Sequence, residues 1–208
     1  MYKLISAEER HVGQIAQQLS STGYWRAGIE GNTLGLGYEA FMAKFIIKPQ
    51  LGFTTVLVEE NREEVVRGAL ISSSTKIADG LPDYSQYFHP KVLEIFYPIK
   101  KLKMSDGYLI SFLSVDLSLR GKGFGEKLFS FAEEKARREN LDNISLIVWA
   151  FNISAVKFYC KMGMVITNCI TCNTPEKIPL LYMQKNKMLS RMHEYFETED
   201  YQNFHIVG

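Results

Sequence analysis

The chain has 208 residues, of which 46% are hydrophobic and 12% aromatic, and this predicts one globular α/β domain with a sizeable core. Its 24 basic residues are nearly balanced by 23 acidic ones, and the net charge of +1 argues against nucleic acid or an anionic membrane as a partner. The first ten residues carry acidic side chains where a signal peptide needs an apolar run, and no apolar stretch approaches the roughly 20 residues of a membrane span. We therefore expect a cytoplasmic protein.

The first part of the chain predicts alternating helices and strands. Ser6 can cap the first helix, with Glu9 three residues on as the partner in a capping box. In order, the elements are a strand over 1–6, a helix over 7–20, a glycine-rich loop over 23–37, a helix over 38–47, and antiparallel strands over 54–59 and 65–73.

A segment over 74–106, interrupted by prolines and rich in aromatic residues, breaks this pattern and predicts an insertion. Long connections in compact domains are commonly lids or binding loops, although a packed ornament is the alternative. Some of its acidic and aromatic side chains are of the kinds that receive a cation. These are Asp79, Asp83, Tyr84 and Tyr87.

An apolar strand predicted over 108–115 leads through a glycine-dense turn into an amphipathic helix. Gly121, Gly123 and Gly125 lack a Cβ, so the backbone can adopt positive φ and a ligand can approach the main chain. The first turn of a helix offers unpaired N–H groups and the positive end of the helix dipole, which favour a diphosphate. Arg120 adds a cation that can bind phosphate oxygens.

The glycine spacing excludes two other phosphate-binding loops. A dinucleotide fingerprint needs a third glycine where Glu126 or Leu128 stands, and a Walker loop needs Ser or Thr after Gly121-Lys122, where Gly123 stands. The remaining pattern is R-x-x-G-x-G, beginning at Arg120. A tight strand-to-helix turn that binds nothing is the structural alternative.

A second motif follows a buried strand predicted over 144–150. Asn152 suits the N-cap of the next helix and Gly163 suits its C-terminal end. Residues 152–164 read N-x-x-A-x-x-F-Y-x-x-x-G-M. Together, the R-x-x-G-x-G loop and this helix resemble the GCN5-related N-acetyltransferase (GNAT) family. Met164 stands where Phe is usual, and Leu117 stands where many relatives have Pro.

The resemblance implies the GNAT fold, an α/β fold with a mixed, mostly antiparallel central sheet flanked by helices. It covers residues 1–186, leaving 187–208 as a terminal helix and tail. We expect the apolar side of that terminal helix to pack on the domain. The alternatives are a homodimer contact or a cover over the active site.

The resemblance also implies acetyl-CoA as the acyl donor, with its pantetheine arm in a gap beside a bulged strand. Leu113 and Val115 match the main-chain ligands of that arm, and Asn152 matches a residue at the mouth of the gap. Simple capping is the alternative for Asn152. The expected donor-binding residues are Leu113, Ser114, Val115, Arg120, Gly121, Lys122, Gly123, Phe124, Gly125, Glu126 and Asn152.

The implied reaction is direct transfer of an acetyl group to an amine. Tyr159 matches the tyrosine near the thioester sulfur, and a phenol with a pKa of roughly 10 can protonate the leaving thiolate. Its alternative is a core aromatic. Attack requires an uncharged amine, and the candidates for the base are Glu30, Glu59, Ser111 and His89.

The acceptor stays open: a small amine, an antibiotic, a polyamine or a protein amine would fit the reaction. A non-catalytic module that senses acyl-CoA is the rival function, and a nucleotide-binding oxidoreductase is a more distant one.

The cysteines and histidines predict no metal site. Cys160, Cys169 and Cys172 are an odd, low number of thiols, which indicates free cysteines. Cys169-x-x-Cys172 has no second Cys or His pair at the spacing that zinc requires, and the four histidines are scattered.

Overall fold

The computed structural model describes residues 1–21, 29–30, 32–81, 83–88, 93–94, 97–99, 101–173, 177 and 179–186. Seven strands form one sheet within this part of the chain. They are β1 (Tyr2–Ser6), β2 (Thr54–Glu59), β3 (Arg62–Ser74), β4 (Tyr108–Val115), β5 (Asn143–Trp149), β6 (Val165–Thr171) and β7 (Pro179–Asn186). The strand order is β1-β2-β3-β4-β5-β7-β6, and every neighbouring pair is antiparallel except β4 and β5.

Helices flank this sheet, so the predicted α/β fold class with a mixed, mostly antiparallel sheet is confirmed. The α-helices are α1 (Val12–Ser21), α2 (Tyr38–Phe41), α3 (Thr75–Asp79), α4 (Phe124–Arg138) and α5 (Ile153–Lys161). A π-helical segment, Met42–Ile47, continues α2, and short 3-10 helices lie at Glu9–His11, Lys48–Phe53, Tyr84–Tyr87 and Leu117–Leu119. None of the helices in the described ranges has both the length and the apolar character to cross a membrane.

The start of the first helix differs from the sequence prediction. Ser6 pairs with Thr55 as the last residue of β1, so it does not cap a helix. The helical segment begins instead at Glu9–His11, where the Glu8 N–H donates to the His11 Nδ1 at 2.9 Å. The predicted Ser6 cap was wrong because the sheet takes up that residue.

The two faces of the sheet have separate hydrophobic cores. Helix α1 covers one face and contributes the buried Ile15 and Leu19. Helix α4 is the amphipathic helix predicted after the glycine loop. Its apolar stripe covers the other face and is buried, and it consists of Leu128, Phe129, Ala132 and Ala136. We call these the α1 face and the α4 face. Full burial of a Leu or Phe side chain contributes roughly 1.5–3 kcal/mol, so this stripe fixes α4 firmly on the sheet.

The sequence predicts two i,i+4 ion pairs on α4, Glu133 with Arg137 and Glu134 with Arg138, and one of them is confirmed. Arg138 and Glu134 lie 2.5 Å apart, as the i,i+4 spacing predicts. Glu133 pairs instead with Lys185 of β7, at 2.7 Å, so its predicted pair with Arg137 was wrong. The reason is tertiary, because the sheet brings a lysine to Glu133 that the local sequence does not reveal.

Strands β4 and β5 separate soon after they begin. Their parallel pairing consists of Tyr108 with Ile144 and Leu109 with Ser145, and no later pair forms between them. On its other side, β4 pairs with β3 through a register shift that leaves Ser111 as an extra residue, a β-bulge that bends the strand. A wedge-shaped gap therefore opens between β4 and β5 toward their carboxyl ends.

Gly107 lies at the closed end of this gap, directly before β4. A Cβ placed on Gly107 would lie 2.4 Å from the Asn143 backbone oxygen, so a glycine is required for this close approach. Its carbonyl accepts from the Thr75 N–H at 2.8 Å. The closed end of the gap is thus held by tight backbone packing.

Gly107→Ala is expected to destabilise the fold, because the added methyl must push β4 and β5 apart. Overpacking of this kind costs about 1–3 kcal/mol, which corresponds to a fall in Tm of about 2–4 °C per kcal/mol in a chain of this size. Thermal unfolding followed by circular dichroism measures it. Gly13→Ala is the matched control, since a Cβ there meets nothing within 4 Å and helix α1 favours alanine. An unchanged Tm for Gly107→Ala would contradict this account.

Several predictions lie outside the described residues. Part of the glycine-rich loop (23–28 and 31), His89, and the terminal helix and tail (187–208) belong to them, and these stay predictions.

Candidate active site

The backbone of β4 presents alternate residues to the gap. The Asp116 N–H donates to the Arg67 oxygen at 2.7 Å, which fixes the hydrogen-bonding phase of the β3–β4 ladder. Because bonded and non-bonded pairs alternate in an antiparallel ladder, the N–H and C=O groups of Leu113 and Val115 point away from β3 and toward the gap. The Val115 oxygen indeed accepts from the Arg120 Nε at 3.3 Å. The two residues expected to hold an extended arm therefore face the gap.

Ser114 does not face the gap. Its main chain belongs to the bonded phase toward β3, and its buried hydroxyl donates to the Gln18 Oε1 of α1 at 2.6 Å. It therefore positions β4 on α1.

The glycine loop has the conformation that its sequence predicts. Leu119 and Lys122 close a turn through an N–H···O bond of 3.4 Å, and Gly121 sits at its third position with φ +73°. This is a type II turn, which requires positive φ there. Gly123 follows at φ +82° as the N-cap of α4. A Cβ on either glycine would meet nothing within 4 Å, so the space before the loop is open to a ligand.

Five backbone donors converge on this space. Gly123 has no side chain to cap α4, and the first intrahelical bond runs from the Lys127 N–H to the Gly123 oxygen at 3.0 Å. Within the described part of the chain, no acceptor meets the donors that precede it. They are the N–H groups of Gly121, Gly123, Phe124, Gly125 and Glu126. Such a cluster at a helix N-terminus is an anion-binding site.

The charges around the loop are also suited to an anion. Arg120 and Lys122 are exposed beside the turn. The Glu126 carboxylate, which would repel a phosphate, is paired with the Lys161 Nζ of α5 at 2.6 Å. The sequence did not reveal Lys161, because the pair spans two motifs that only the fold brings together.

A network at the end of β4 braces the loop, and sequence analysis missed it. Asp116 accepts from the Ser118 N–H at 2.8 Å and from the Ser118 hydroxyl at 2.7 Å. Arg67 bridges Asp116, at 3.4 Å, and Glu59, at 2.7 Å. The Ser118 bonds and, after them, Arg67 lower the pKa of Asp116. The Asp-x-Ser spacing is a turn signal that could have identified Asp116.

Asp116→Ala is expected to lower the free energy of unfolding by about 1–2 kcal/mol, because it removes two hydrogen bonds and one partner of Arg67 in a partly exposed place. Urea unfolding measures the change. Asp116→Asn keeps an acceptor for Ser118, so it should lose about half as much. Equal losses for both variants would mean that the turn does not depend on these bonds.

Tyr159 lies under the gap on the α4 face. It is 8% exposed and belongs to one buried cluster with Ile110 of β4 and with Leu146 and Val148 of β5. Its hydroxyl donates to none of the described residues. Burial raises the pKa of Tyr159 to about 12, so the phenol keeps its proton at neutral pH.

Asn152 caps α5, as the sequence predicts. Its Oδ1 accepts from the Ala155 N–H at 3.2 Å, and the exposed side chain leaves its Nδ2 without a bond to any residue in the described ranges. Capping therefore uses only the oxygen of this amide.

The neighbouring Phe151 is stacked on Trp149, with 5.5 Å between the ring centroids, and is 64% exposed, which gives the mouth of the gap an aromatic rim.

Described parts of the insertion pack on the α1 face. Phe88 packs in the α1-face core that includes Phe112 of β4. Farther along the chain, Ile99 and Leu102 pack in a separate cluster with Trp149 of β5. The described parts of the insertion thus share clusters with residues of both strands that border the gap, and the lid stays a prediction.

The candidate bases are not brought together. Glu59 is held by Arg67, and Ser111 is the bulged residue of β4. Glu30 is exposed. Of the residues named as cation receivers, Tyr87 packs against Phe45 in the core, at 5.2 Å between ring centroids.

The predicted free cysteines are confirmed: Cys160 and Cys169 are exposed, and Cys172 is buried. The described residues contain no group of three or more His, Cys, Asp or Glu side chains placed to hold a metal ion.

The sequence matches a known protein family. The model of the Acetyltransferase (GNAT) family matches residues 39–164, which is more than half of the chain and includes both motifs. No curated protein matches the sequence significantly.

Solved structures share the fold at low sequence identity. An N-acetyltransferase from Staphylococcus aureus Mu50 is 18% identical with a TM-score of 0.64, and the match covers 88% of this chain and all of the other. Arabidopsis thaliana Naa50, solved with a bisubstrate analogue of CoA and a peptide, is 18% identical with a TM-score of 0.55, and 89% and 98% of the chains are covered. The acetyltransferase yncA from Salmonella typhimurium, solved with acetyl-CoA, is 18% identical with a TM-score of 0.54, over 89% and 94%.

Proposed function

The chain belongs to the GNAT acetyltransferase family, and from that premise we propose that it transfers an acetyl group from acetyl-CoA to an amine acceptor. The observation that carries the proposal is a cluster of backbone N–H groups between Gly121 and Glu126 that have no acceptor among the described residues, near the open end of a gap in the sheet. A helix N-terminus with left-handed glycines binds a diphosphate, and the gap beside it accepts an extended arm.

The residues of the gap fit such a donor. The N–H and C=O groups of Leu113 and Val115 point into the gap, where amide groups of the pantetheine arm can bond to them. Arg120 reaches the same edge of β4, since it donates to the Val115 oxygen. When bound, the donor supplies a thioester whose acetyl group is activated toward amines.

Tyr159 is the proposed proton donor. Transfer leaves a CoA thiolate, and a phenol that has kept its proton can donate it to the sulfur. Two observations support this role: Tyr159 is buried in the cluster that includes residues of β4 and β5, and its hydroxyl has no hydrogen-bond partner among the described residues. A main-chain N–H of β4 that faces the gap can polarise the acetyl oxygen.

The amine must lose a proton before it attacks. Ser111, at the bulge beside the gap, is the best placed of the candidates in the described ranges, and it can pass a proton to solvent through its hydroxyl.

The acceptor reaches the acetyl group from the α1 face, where the insertion lies. The Arabidopsis neighbour was solved with a peptide-containing analogue, so we include peptide N-termini among the amines to be tested.

An amine-panel assay of thiol release tests the proposal. The protein is incubated with acetyl-CoA and, separately, a polyamine, an aminoglycoside, lysine and short peptides, and products are identified by mass. We expect free CoA to appear in step with one acetylated amine. Tight binding of acetyl-CoA without thiol release from any amine would favour the non-catalytic sensing module. Tighter binding of NAD than of CoA would favour an oxidoreductase instead.

A further inference from the structure

A second cavity lies at the other end of α4 from the glycine loop. It has a volume of about 200 Å³ and opens between the carboxyl end of α4, the start of β4 and the 3-10 helix Lys48–Phe53. Helix α4 has 15 residues, so this cavity lies about 22 Å from the proposed diphosphate site. Its occupant cannot be the same phosphate group.

Lys135 brings a half-buried cation to this cavity. Its Nζ donates to the Thr55 hydroxyl at 3.3 Å and lies 5.2 Å from the Phe131 ring centroid. No carboxylate in the described residues lies within ion-pair distance of it. Burial lowers the pKa of its ammonium group, and the charge of Glu139, which also lines the cavity, offsets this only in part. Taking a cation out of water without an anion is costly.

Lys185 shows what the same fold does with a comparable lysine. Its side chain is 29% exposed, and its Nζ reaches both the Glu133 carboxylate, at 2.7 Å, and the Met162 oxygen, at 2.8 Å. Lys135 belongs to α4 and Lys185 lies beside it on β7, and among the described residues only Lys185 has a carboxylate within ion-pair distance. The cavity beside Lys135 is where a counter-ion would fit.

The remaining walls define the shape and charge of an occupant. Arg138 is a second cation at the rim, shared with Glu134, and Glu139 is the one carboxylate in the lining, so the lining is positive on balance. Phe53 and Ile77 provide an apolar wall. An anionic head with a short apolar body satisfies both parts.

A polar wall faces the apolar one. Tyr108 donates to the Ser72 backbone oxygen at 3.2 Å, and the Ser72 hydroxyl lies 3.3 Å from the Tyr108 oxygen. Burial raises the pKa of Tyr108, so this phenol stays uncharged and does not compete for Lys135.

We propose that this cavity is a second binding site, which takes a small organic oxyanion, a carboxylate or a phosphate monoester with a short apolar body, paired with Lys135. The site is separate from the proposed acyl-donor site, and its existence does not depend on the proposed reaction.

Titration calorimetry on the full chain tests the site, with isobutyrate, benzoate and phenyl phosphate as probes. CoA is present at saturation, so that the glycine loop is occupied. We expect saturable binding of at least one probe, and the comparison between carboxylates and phosphate identifies the preferred head group. Lys135→Met should weaken binding about tenfold or more, the size of a lost charged hydrogen bond.

The controls separate this site from general charge effects. Arg137→Met removes a neighbouring exposed charge of α4 outside the cavity lining and should leave the affinity unchanged. Lys135→Arg keeps the cation and should retain binding. It serves as the second test if Lys135→Met proves unstable. Absence of saturable binding for all three probes, binding that survives Lys135→Met, or displacement of the probes by CoA would each overturn the proposal.

Discussion

Gly123→Ala is expected to weaken the binding of acetyl-CoA by roughly 10- to 100-fold. Gly123 has φ +82°, and a residue with a Cβ pays about 1–2 kcal/mol for that left-handed conformation. The new methyl would also enter the open space where the phosphates approach the free N–H groups. Each 1.4 kcal/mol corresponds to tenfold in affinity, so the two effects together give the expected range. Titration calorimetry with CoA measures it.

The matched control for this loss is Gly13→Ala, which adds the same methyl to a regular helix. It should leave CoA affinity unchanged and raise stability by about 0.5–1 kcal/mol. If Gly123→Ala bound CoA as tightly as the unmodified protein, the loop would be only a structural turn, and the central argument of the proposed function would fail.

Tyr159→Phe is expected to lower kcat by about 100-fold while leaving the KM for acetyl-CoA unchanged. General acid catalysis contributes roughly 10²–10⁴ in rate, and Tyr159 is the proposed source of that proton. The substitution keeps the ring that packs against Phe129 and Phe158. Because the hydroxyl bonds to none of the described residues, its removal should leave the free energy of unfolding unchanged or slightly higher. Undiminished turnover would leave Tyr159 as a core aromatic.

The pKa of Tyr159 adds a pH dependence that the variant should lose. Burial raises it to about 12, above the value of roughly 10 in an unfolded chain. The stability contribution is therefore fully present below about pH 10 and is lost as pH rises toward 12, because the unfolded chain ionises first. The loss is roughly 3 kcal/mol. Urea unfolding between pH 9 and pH 12 should show this fall in the unmodified protein and a smaller one in Tyr159→Phe.

Elements that depend on local interactions were predicted closely from the sequence. The strand over 108–115 has the predicted bounds because the apolar run stops at the turn residues. Helix α5 falls between Asn152, which caps it, and Gly163, which has φ +80°. In both cases the boundary is set by residues within one turn of it, and such residues are visible in the sequence.

Features that depend on distant partners were not predicted. The Glu133–Lys185 pair joins residues 52 positions apart. Arg67 lies on β3 and pairs with Asp116 at the end of the neighbouring strand β4. The π-helical turns of Met42–Ile47 differ from an α-helix by a small change in period that apolar spacing does not resolve. In the candidate site, the glycine loop and Asn152 were found from motifs, whereas the bracing network and Lys161 needed the fold.

Because β4 and β5 separate early, few direct strand contacts join the two halves of the sheet. On the α1 face the described residues of each half pack in a separate cluster, whereas the α4-face core spans both halves and only two residue pairs link β4 directly to β5. An extended ligand lying between the facing edges of β4 and β5 would bond to their main-chain groups as a further strand does. Occupancy is then expected to raise the free energy of unfolding by about 2.7 kcal/mol at a hundredfold excess over Kd, so a bound ligand would stabilise both halves of the sheet together.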